Sequence, residues 1–518
     1  KQLRKKLLVL FVVAALLCAS FSTAFCAVKQ PFKLGSELLQ SKYAHLIKGK
    51  RVGLVTNQSG VNSRGESTID LLFKDPACRL TALYAPEHGI DGQAKAGEYV
   101  ESYVHKKLGI PVYSLYGETR QPTAKMLENV DLLIFDVQDI GARTYTYMST
   151  LNYCMVAAQK YGKPVVVLDR PNPLGGLVVE GPVLEDPFIT FVGVDNLPMA
   201  HGMTAGELAR FFNRKIGADL TVVPMEGYRR SMLFTDTGLK WVQTSPSIPD
   251  LDAVFGYMAT GLGEGTGIFQ ADNFKWIGGR GIDAQKYAAL LNKAALPGIT
   301  FLPEKRGEAG GVRLKITDYG TFNPARTGIY ALAYGYSLGD FKVPKSGQTT
   351  VMFDKVMGTD KIGRYLEQGL TPQQMEARYA PALNRFKEAR KKYLLSQYDF
   401  KPGEIAIFID GTALSFDVDP YIDQNDRVMV PLRAIAEALE AEVIWKASGK
   451  EVTIAGEKQA VLLKIGSPVV EVNGTREKID TVPLIKNSRT MVPLRFVAQF
   501  LGADVHWNNR LKTVTIDR

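Results

Sequence analysis

Five short apolar runs rich in β-branched residues limit the fold more than any other feature of this chain: 51-RVGLVTN-57, 80-LTALYAPEH-88, 111-PVYSLYG-117, 131-DLLIFDVQD-139 and 164-PVVVLDRPNP-173. Between them lie 67-STIDLLFKD-75, 123-TAKMLENV-130 and 144-TYTYMSTLNYCMVAAQKYG-162, which begin on Ser or Thr and space their apolar residues for one buried face. These stretches predict helices. Strand, helix, strand in this rhythm is the pattern of a parallel sheet covered on both faces.

Ligands of open parallel sheets bind beyond the carboxyl ends of the strands, where the loops converge. Following each run to its end gives Asn57 and Gln58, then Glu87 and His88, then Asp136, Gln138 and Asp139 with Arg143 beyond, then Asp169, Arg170 and Asn172. Four strand ends therefore bring polar groups to one rim. The Pro86-Glu87-His88-Gly89 turn is the sharpest of them, because Gly89 permits a positive φ or a close ligand approach. Asp136 and Asp139 suit paired acid–base carboxylates, or Asp139 neutralises Arg143. On that second reading Arg143 is a binder of a substrate carboxylate rather than a catalyst. The prolines of 168-LDRPNPLGG-176 stiffen a loop presenting Arg170 and Asn172 toward sugar hydroxyls, an N-acetyl group or a carboxylate.

A second, less regular region spans about 196–396 and reads as a second α/β subdomain. Thr204 with Glu207 forms a capping-box pattern at the start of the helix in 201-HGMTAGELARFFNRKIG-217. A strand pattern at 220-LTVVPMEGY-228 follows, then a closing helix at 371–395, which Pro381 is expected to break or kink. The Gly-rich stretch 261-GLGEGTG-267 fails the G-x-G-x-x-G spacing of a dinucleotide site, so no nicotinamide cofactor is expected. Glu264 is instead a carboxylate able to reach the cleft. No H-E-x-x-H, C-x-x-C or Walker motif occurs, and neither a metal nor a cofactor is expected.

Beyond about residue 405 a repeat appears: 427-RVMVPLRAIAEALEAEVIWKASGKEVTI-454 recurs as 489-RTMVPLRFVAQFLGADVHWNNRLKTVTI-516. Each copy reads as strand, short helix and hairpin, and two copies can bury a core that neither buries alone. At the other end, residues 1–26 pair a basic head with an apolar stretch and small residues, the pattern of a secretory signal. Export to the cell envelope or medium is the expectation. The charge of +10 is mild for 518 residues and scattered, which argues against a nucleic-acid partner. Of four cysteines, only Cys78 and Cys154 fall in the folded part, where they form either one bridge or two buried thiols.

Six strings in order, GLVTNQSGV, LYAPEHGIDG, FDVQDIGARTYTY, LDRPNPLGG-x-x-VEGP, HGMTAGELA and SPSIPD, resemble the NamZ-type exo-β-N-acetylmuramidases over about residues 30–396. The resemblance implies a Rossmann-like domain at 30–195 and a smaller subdomain at 196–396 closing a cleft. It also implies a glycosidase that removes N-acetylmuramic acid from the non-reducing ends of peptidoglycan fragments. Carried over by motif, it makes Glu87 the catalytic acid, with His88, Asp136, Gln138, Arg143, Arg170, Asn172, Glu180 and His201 around the sugar. Asn57, Gln58 and Tyr145 complete the expected binding set. The second carboxylate stays open among Asp136, Asp139, Glu180 and Glu264. Family members commonly carry EGTN-x-S-x-GRGT where this chain has 264-EGTGIFQADNFKWIGG-279, keeping only the Glu-Gly-Thr start. That departure supports a rival expectation, an inactive peptidoglycan-binding envelope protein. The repeat, 405–518, resembles copper-amine-oxidase N-terminal-like domains, for which a cell-wall-binding role is expected. Copper is not, because His506 is its only histidine.

Overall fold

The computed structural model describes residues 32–339, 341–400, 405–456 and 459–518. The expected leader at 1–26 lies outside them. Two compact units divide the chain, the first running from Pro31 to Asp399 and the second holding the C-terminal repeat.

The first unit is built on a seven-stranded sheet. Its strands are β1 (Arg51–Thr56), β2 (Arg79–Ala85), β3 (Tyr103–Val104), β4 (Pro111–Ser114), β5 (Leu132–Asp136), β6 (Val165–Leu168) and β7 (Leu220–Val223), in the order β3-β4-β2-β1-β5-β6-β7. All pairings are parallel except β3 with β4. Alternate residues go to opposite faces. Val52, Leu54, Ile134, Val166 and Leu168 pack toward α1 (Gly35–Ser41) and α2 (Thr68–Lys74). Val55, Leu133, Phe135, Val165 and Val167 pack toward α3 (Tyr147–Lys160) and α4 (Ala205–Ile216). From β1 the chain winds out to β4 and returns to β5 on the other side, so the order reverses at the carboxyl ends of β1 and β5. That reversal is where such sheets open a crevice.

Two expectations need correction. The segment 123–130 forms turns rather than a helix: it buries Leu127 and Val130 through i→i+3 and i→i+4 bonds but is too short to repay helix nucleation. The boundary expected near 195 falls inside the first sheet. Helix α4, opened by the Thr204–Glu207 capping box, is the crossover that delivers β7 to the sheet edge.

The second lobe follows with α5 (Leu251–Thr260), an antiparallel sheet and its covering helices. The sheet has the order β10-β11-β9-β8, from β8 (Ile268–Ala271), β9 (Trp276–Arg280), β10 (Ile299–Arg306) and β11 (Ala309–Ile316). The Gly-rich stretch 261–267 forms the turns that lead into the β8–β9 hairpin. Gly278 and Gly311 are needed there because the Trp276 indole lies across them, and a Cβ at either would come within 2.5 Å of its ring. The last long helix, Pro372–Arg390, continues through Pro381.

In the C-terminal unit the two copies match element for element. Val428–Pro431, Leu432–Ala438, Glu442–Lys446 and Glu451–Ala455 correspond to Arg489–Pro493, Leu494–Phe500, Asp504–Asn508 and Thr513–Asp517. Their first strands pair antiparallel, Val430 opposite Val492, over a core holding Ile435, Ile454, Val497 and Ile516. Cys78 and Cys154 are free thiols, not a bridge.

Candidate active site

Glu87 leaves the end of β2 on a tight turn in which His88 (φ 73°) and Gly89 (φ 79°) are both left-handed. A histidine there is strained. Its ring is tied down by a hydrogen bond from Nδ1 to the carbonyl of Ala94, 2.7 Å away, and its carbonyl accepts from Ala94 N. With the proton on Nδ1, Nε2 keeps its lone pair. Residues 91–102 fold over the turn, and Gly97 N donates to Glu87 Oε1 at 2.9 Å. The other carboxyl oxygen, Oε2, is held by the hydroxyl of Thr146. Glu87 is 8% exposed, buried yet reached by the surface.

Three tyrosines wall this carboxyl. The ring of Tyr145 packs edge-on against Tyr147 (4.8 Å) and Tyr257 (5.8 Å), and the hydroxyls of Tyr145 and Tyr147 donate to Thr244 Oγ1 and to the Thr244 carbonyl. Burial pushes all three phenols up, Tyr257 to about 12, and the charges of Glu87, Glu264 and Asp139 add to the rise at Tyr257. Asp139 is buried; Oδ2 accepts from Gly141 N at 2.8 Å and Oδ1 has no hydrogen-bond partner among the described residues. His201 Nε2 lies 3.4 Å from Asp139 Oδ2 without completing a hydrogen bond, and its Nδ1 accepts from Met203 N. Glu264 is exposed.

The other expected residues have different surroundings. Asp136 is fully buried in an ion pair with Arg170 (2.5 Å) and also accepts from Thr68 Oγ1, while Arg170 donates to the Val61 carbonyl. Arg143 is engulfed, donating to the carbonyls of Pro182, Leu197 and Val356 at 2.7–2.8 Å, and burial lowers its pKa to about 9. Three carbonyls take three of the five guanidinium donors, tying three loops together, while Nε has no hydrogen-bond partner among the described residues and is shut off from the surface. Gln138 donates to the carbonyls of Asp139 and Pro171, and Asn172 to that of Met203, so both brace the rim. Asn57 Oδ1 holds Ser59 while its Nδ2 is unpartnered; Gln58 Nε2 reaches the carbonyls of Gln243 and Thr244 while its Oε1 is unpartnered. Glu180 accepts from Gly181 N and, at 3.5 Å, from Asn323. A cavity of about 260 Å³ beside the rim is lined by Ser59, Asn62, Gln138, Arg170 and Phe234; Glu87 does not line it.

Sequence reasoning missed Thr146, Tyr147, Thr244 and Tyr257. Thr146 and Tyr147 sit inside the quoted RTYTY string, one and three residues after Tyr145 and Thr144 respectively, and helical geometry alone could have aimed them at Glu87. Tyr257 carries no local signal.

A Rossmann-like sheet whose rim carries a buried yet accessible carboxyl at one strand end and a second, partly unpartnered carboxylate at another suits a glycosidase. Comparison with known proteins agrees. Residues 52–252 match the family described as Exo-beta-N-acetylmuramidase NamZ, N-terminal, and residues 255–395 match its C-terminal counterpart. The chain belongs to the NamZ exo-β-N-acetylmuramidase family. It is 43% identical over 386 residues to the Peptidoglycan beta-N-acetylmuramidase NamZ of Bacillus subtilis (strain 168), covering 71% of this chain and 92% of that one. A DUF1343 family protein from Bacteroides fragilis NCTC 9343, solved by crystallography, aligns with TM-score 0.64 at 35% identity over 70% of this chain and 98% of its own. A second one from that organism shares the fold at 24% identity, TM-score 0.52, over the same shares. Residues 408–516 match the Copper amine oxidase N-terminal domain.

Proposed function

We propose that this protein is an exo-acting β-N-acetylmuramidase that cleaves N-acetylmuramic acid from the non-reducing ends of peptidoglycan fragments, with Glu87 as general acid. The observation that carries this reading is the Glu87 carboxyl at the end of β2, buried yet reached by the surface, held by Thr146 and Gly97 and in no ion pair among the described residues. The carboxyl gives its proton to the glycosidic oxygen as the C1–O bond breaks, the bonding electron pair stays on the oxygen of the departing sugar, and C1 is taken by water, directly or after the second carboxylate. The Thr146 hydroxyl donates to the carboxylate and accepts from the carboxylic acid, so this contact serves both protonation states. Asp139, with its unpartnered Oδ1, is the better supported second carboxylate, and Glu264 is the alternative. Asp136 is the weakest of the four, since Arg170 and Thr68 occupy it.

Free N-acetylmuramic acid should be released from a chromogenic muramide by the wild type and not by Glu87→Gln. The changed segment 264–279 keeps a second reading in play, a wall-binding protein without activity. Sedimentation with purified peptidoglycan, by a folded sample that frees no sugar, would favour it. The leader supports secretion or envelope attachment, and the copper-amine-oxidase-like repeat supports a Gram-positive setting, where such fragments arise during wall turnover and recycling. The C-terminal unit fits a wall-binding appendage, tested by comparing sedimentation with and without residues 400–518.

A further inference from the structure

Muramic acid differs from the neutral N-acetylhexosamines by a lactyl ether ending in a carboxylate, so a muramide-selective site calls for a cation with open donors. Of the two arginines expected from the sequence, Arg143 gives three donors to carbonyls and is shut off from the surface, and Arg170 gives Nε and Nη2 to Asp136 and the Val61 carbonyl.

Arg120 is different. It lies in the loop after β4, half-buried, with its guanidinium carbon 4.0 Å from the ring centroid of Tyr116 and 4.3 Å from that of Phe191. Phe191 is itself backed by Tyr153, with ring centroids 5.3 Å apart. Among the described residues Arg120 forms no ion pair with a carboxylate. The two ring centroids are 5.9 Å apart and their planes 54° apart, so the rings meet the guanidinium from adjacent sides; aromatic contact of this kind anchors an arginine for carboxylate recognition. The loop also starts beside the acid: Ser114 pairs with Ala85 and Leu115 N donates to the Ala85 carbonyl, two residues before Glu87. The Tyr116 phenol, raised chiefly by burial, is pulled down by Arg120 and pushed up by Glu87.

We infer that Arg120, held against Tyr116 and Phe191 in the loop beside the strand end of Glu87, binds the lactyl carboxylate of the muramic acid residue and sets the preference of the site for muramides over neutral hexosaminides. This assignment rests on the muramidase reading above and names its specificity determinant.

The test compares wild type, Arg120→Leu and Arg120→Lys on a 4-nitrophenyl β-N-acetylmuraminide and on its lactyl methyl ester, after thermal melts establish that the variants are folded. Hydrogen bonds to a charged group change affinity by about 10- to 100-fold, so the wild type should favour the acid over the ester by that factor in kcat/KM. Arg120→Leu should bring the ratio to within about threefold by raising KM on the acid alone, and Arg120→Lys should fall between. An unchanged acid-to-ester ratio in Arg120→Leu, or an equal loss on both substrates, overturns the assignment. If the wild type cleaves neither substrate, it is the enzyme reading that falls. Arg120 is then judged by calorimetry with free N-acetylmuramic acid and N-acetylglucosamine, where equal muramic acid affinity in wild type and Arg120→Leu overturns the proposal.

Discussion

The carboxyl ends of β5 and β2 both present an acid to the same rim, yet they have opposite characters. At β5, Asp136 meets Arg170 and Thr68, every oxygen is engaged, and its exposure is nil. At β2, Glu87 is held by one backbone N–H and one hydroxyl, with no counter-cation within ion-pair distance among the described residues. An acid with an arginine on both oxygens serves the scaffold. An acid held only by neutral donors keeps its carboxyl available for proton transfer to a substrate. A polar residue at a strand end is thus a site residue only when the fold leaves its chemistry unspent.

Substitutions at the two ends should separate these characters. The largest effect is expected for Glu87→Gln, a fall of about 10²- to 10⁴-fold in kcat with the melting temperature nearly unchanged; a variant that is fully active and stable would erase the distinction. Asp136→Ala should do the reverse. It strands a buried guanidinium at a cost of about 3–5 kcal/mol, read by denaturant unfolding, and a loss below about 1 kcal/mol would mean the pair does not serve the scaffold as described.

Asp169, at the end of β6, sharpens the comparison through pH. Its carboxyl accepts from Gly206 N, Arg170 N, Thr204 and Tyr398, but complete burial and the neighbouring Glu207 raise its pKa to about 7. The folded state therefore holds a proton that the unfolded chain releases near pH 4. Its stabilising contribution is complete below that pH and is lost as pH rises to about 7, by roughly 2–4 kcal/mol. Unfolding free energies across pH 4–8 should show this slope in the wild type and a flatter profile in Asp169→Asn. The smallest effect is expected for Thr146→Val, a three- to tenfold fall in kcat/KM from loss of one neutral hydrogen bond, with the alkaline limb of the pH–rate profile, where a general acid loses its proton, displaced. An unmoved limb would detach Thr146 from the protonation of Glu87.

Much of this was legible in the chain because the signals are local. The β-branched runs, the Thr204–Glu207 cap and the left-handed turn permitted by Gly89 each lie within a few residues, and the structure bears out all three as local geometry. The fate of the arginines was not legible, because it is decided at long range. Arg143 is satisfied by carbonyls 39, 54 and 213 residues away, and no pattern around 143 announces them. Arg120 went unread for the mirror-image reason: Phe191, one of the rings that present it, arrives from a distant loop. The placement of β7 was misjudged because a strand pattern does not say which sheet receives it.

In the C-terminal unit the strand Ala406–Ile409 pairs in parallel with Thr513–Asp517, so the first and last strands of the repeat lie side by side. Entry and exit of that unit are stapled to each other by main-chain hydrogen bonds. Such a cassette can be moved between hosts without unravelling, whereas trimming its final strand would strip the first of its neighbour and open the fold at both ends together.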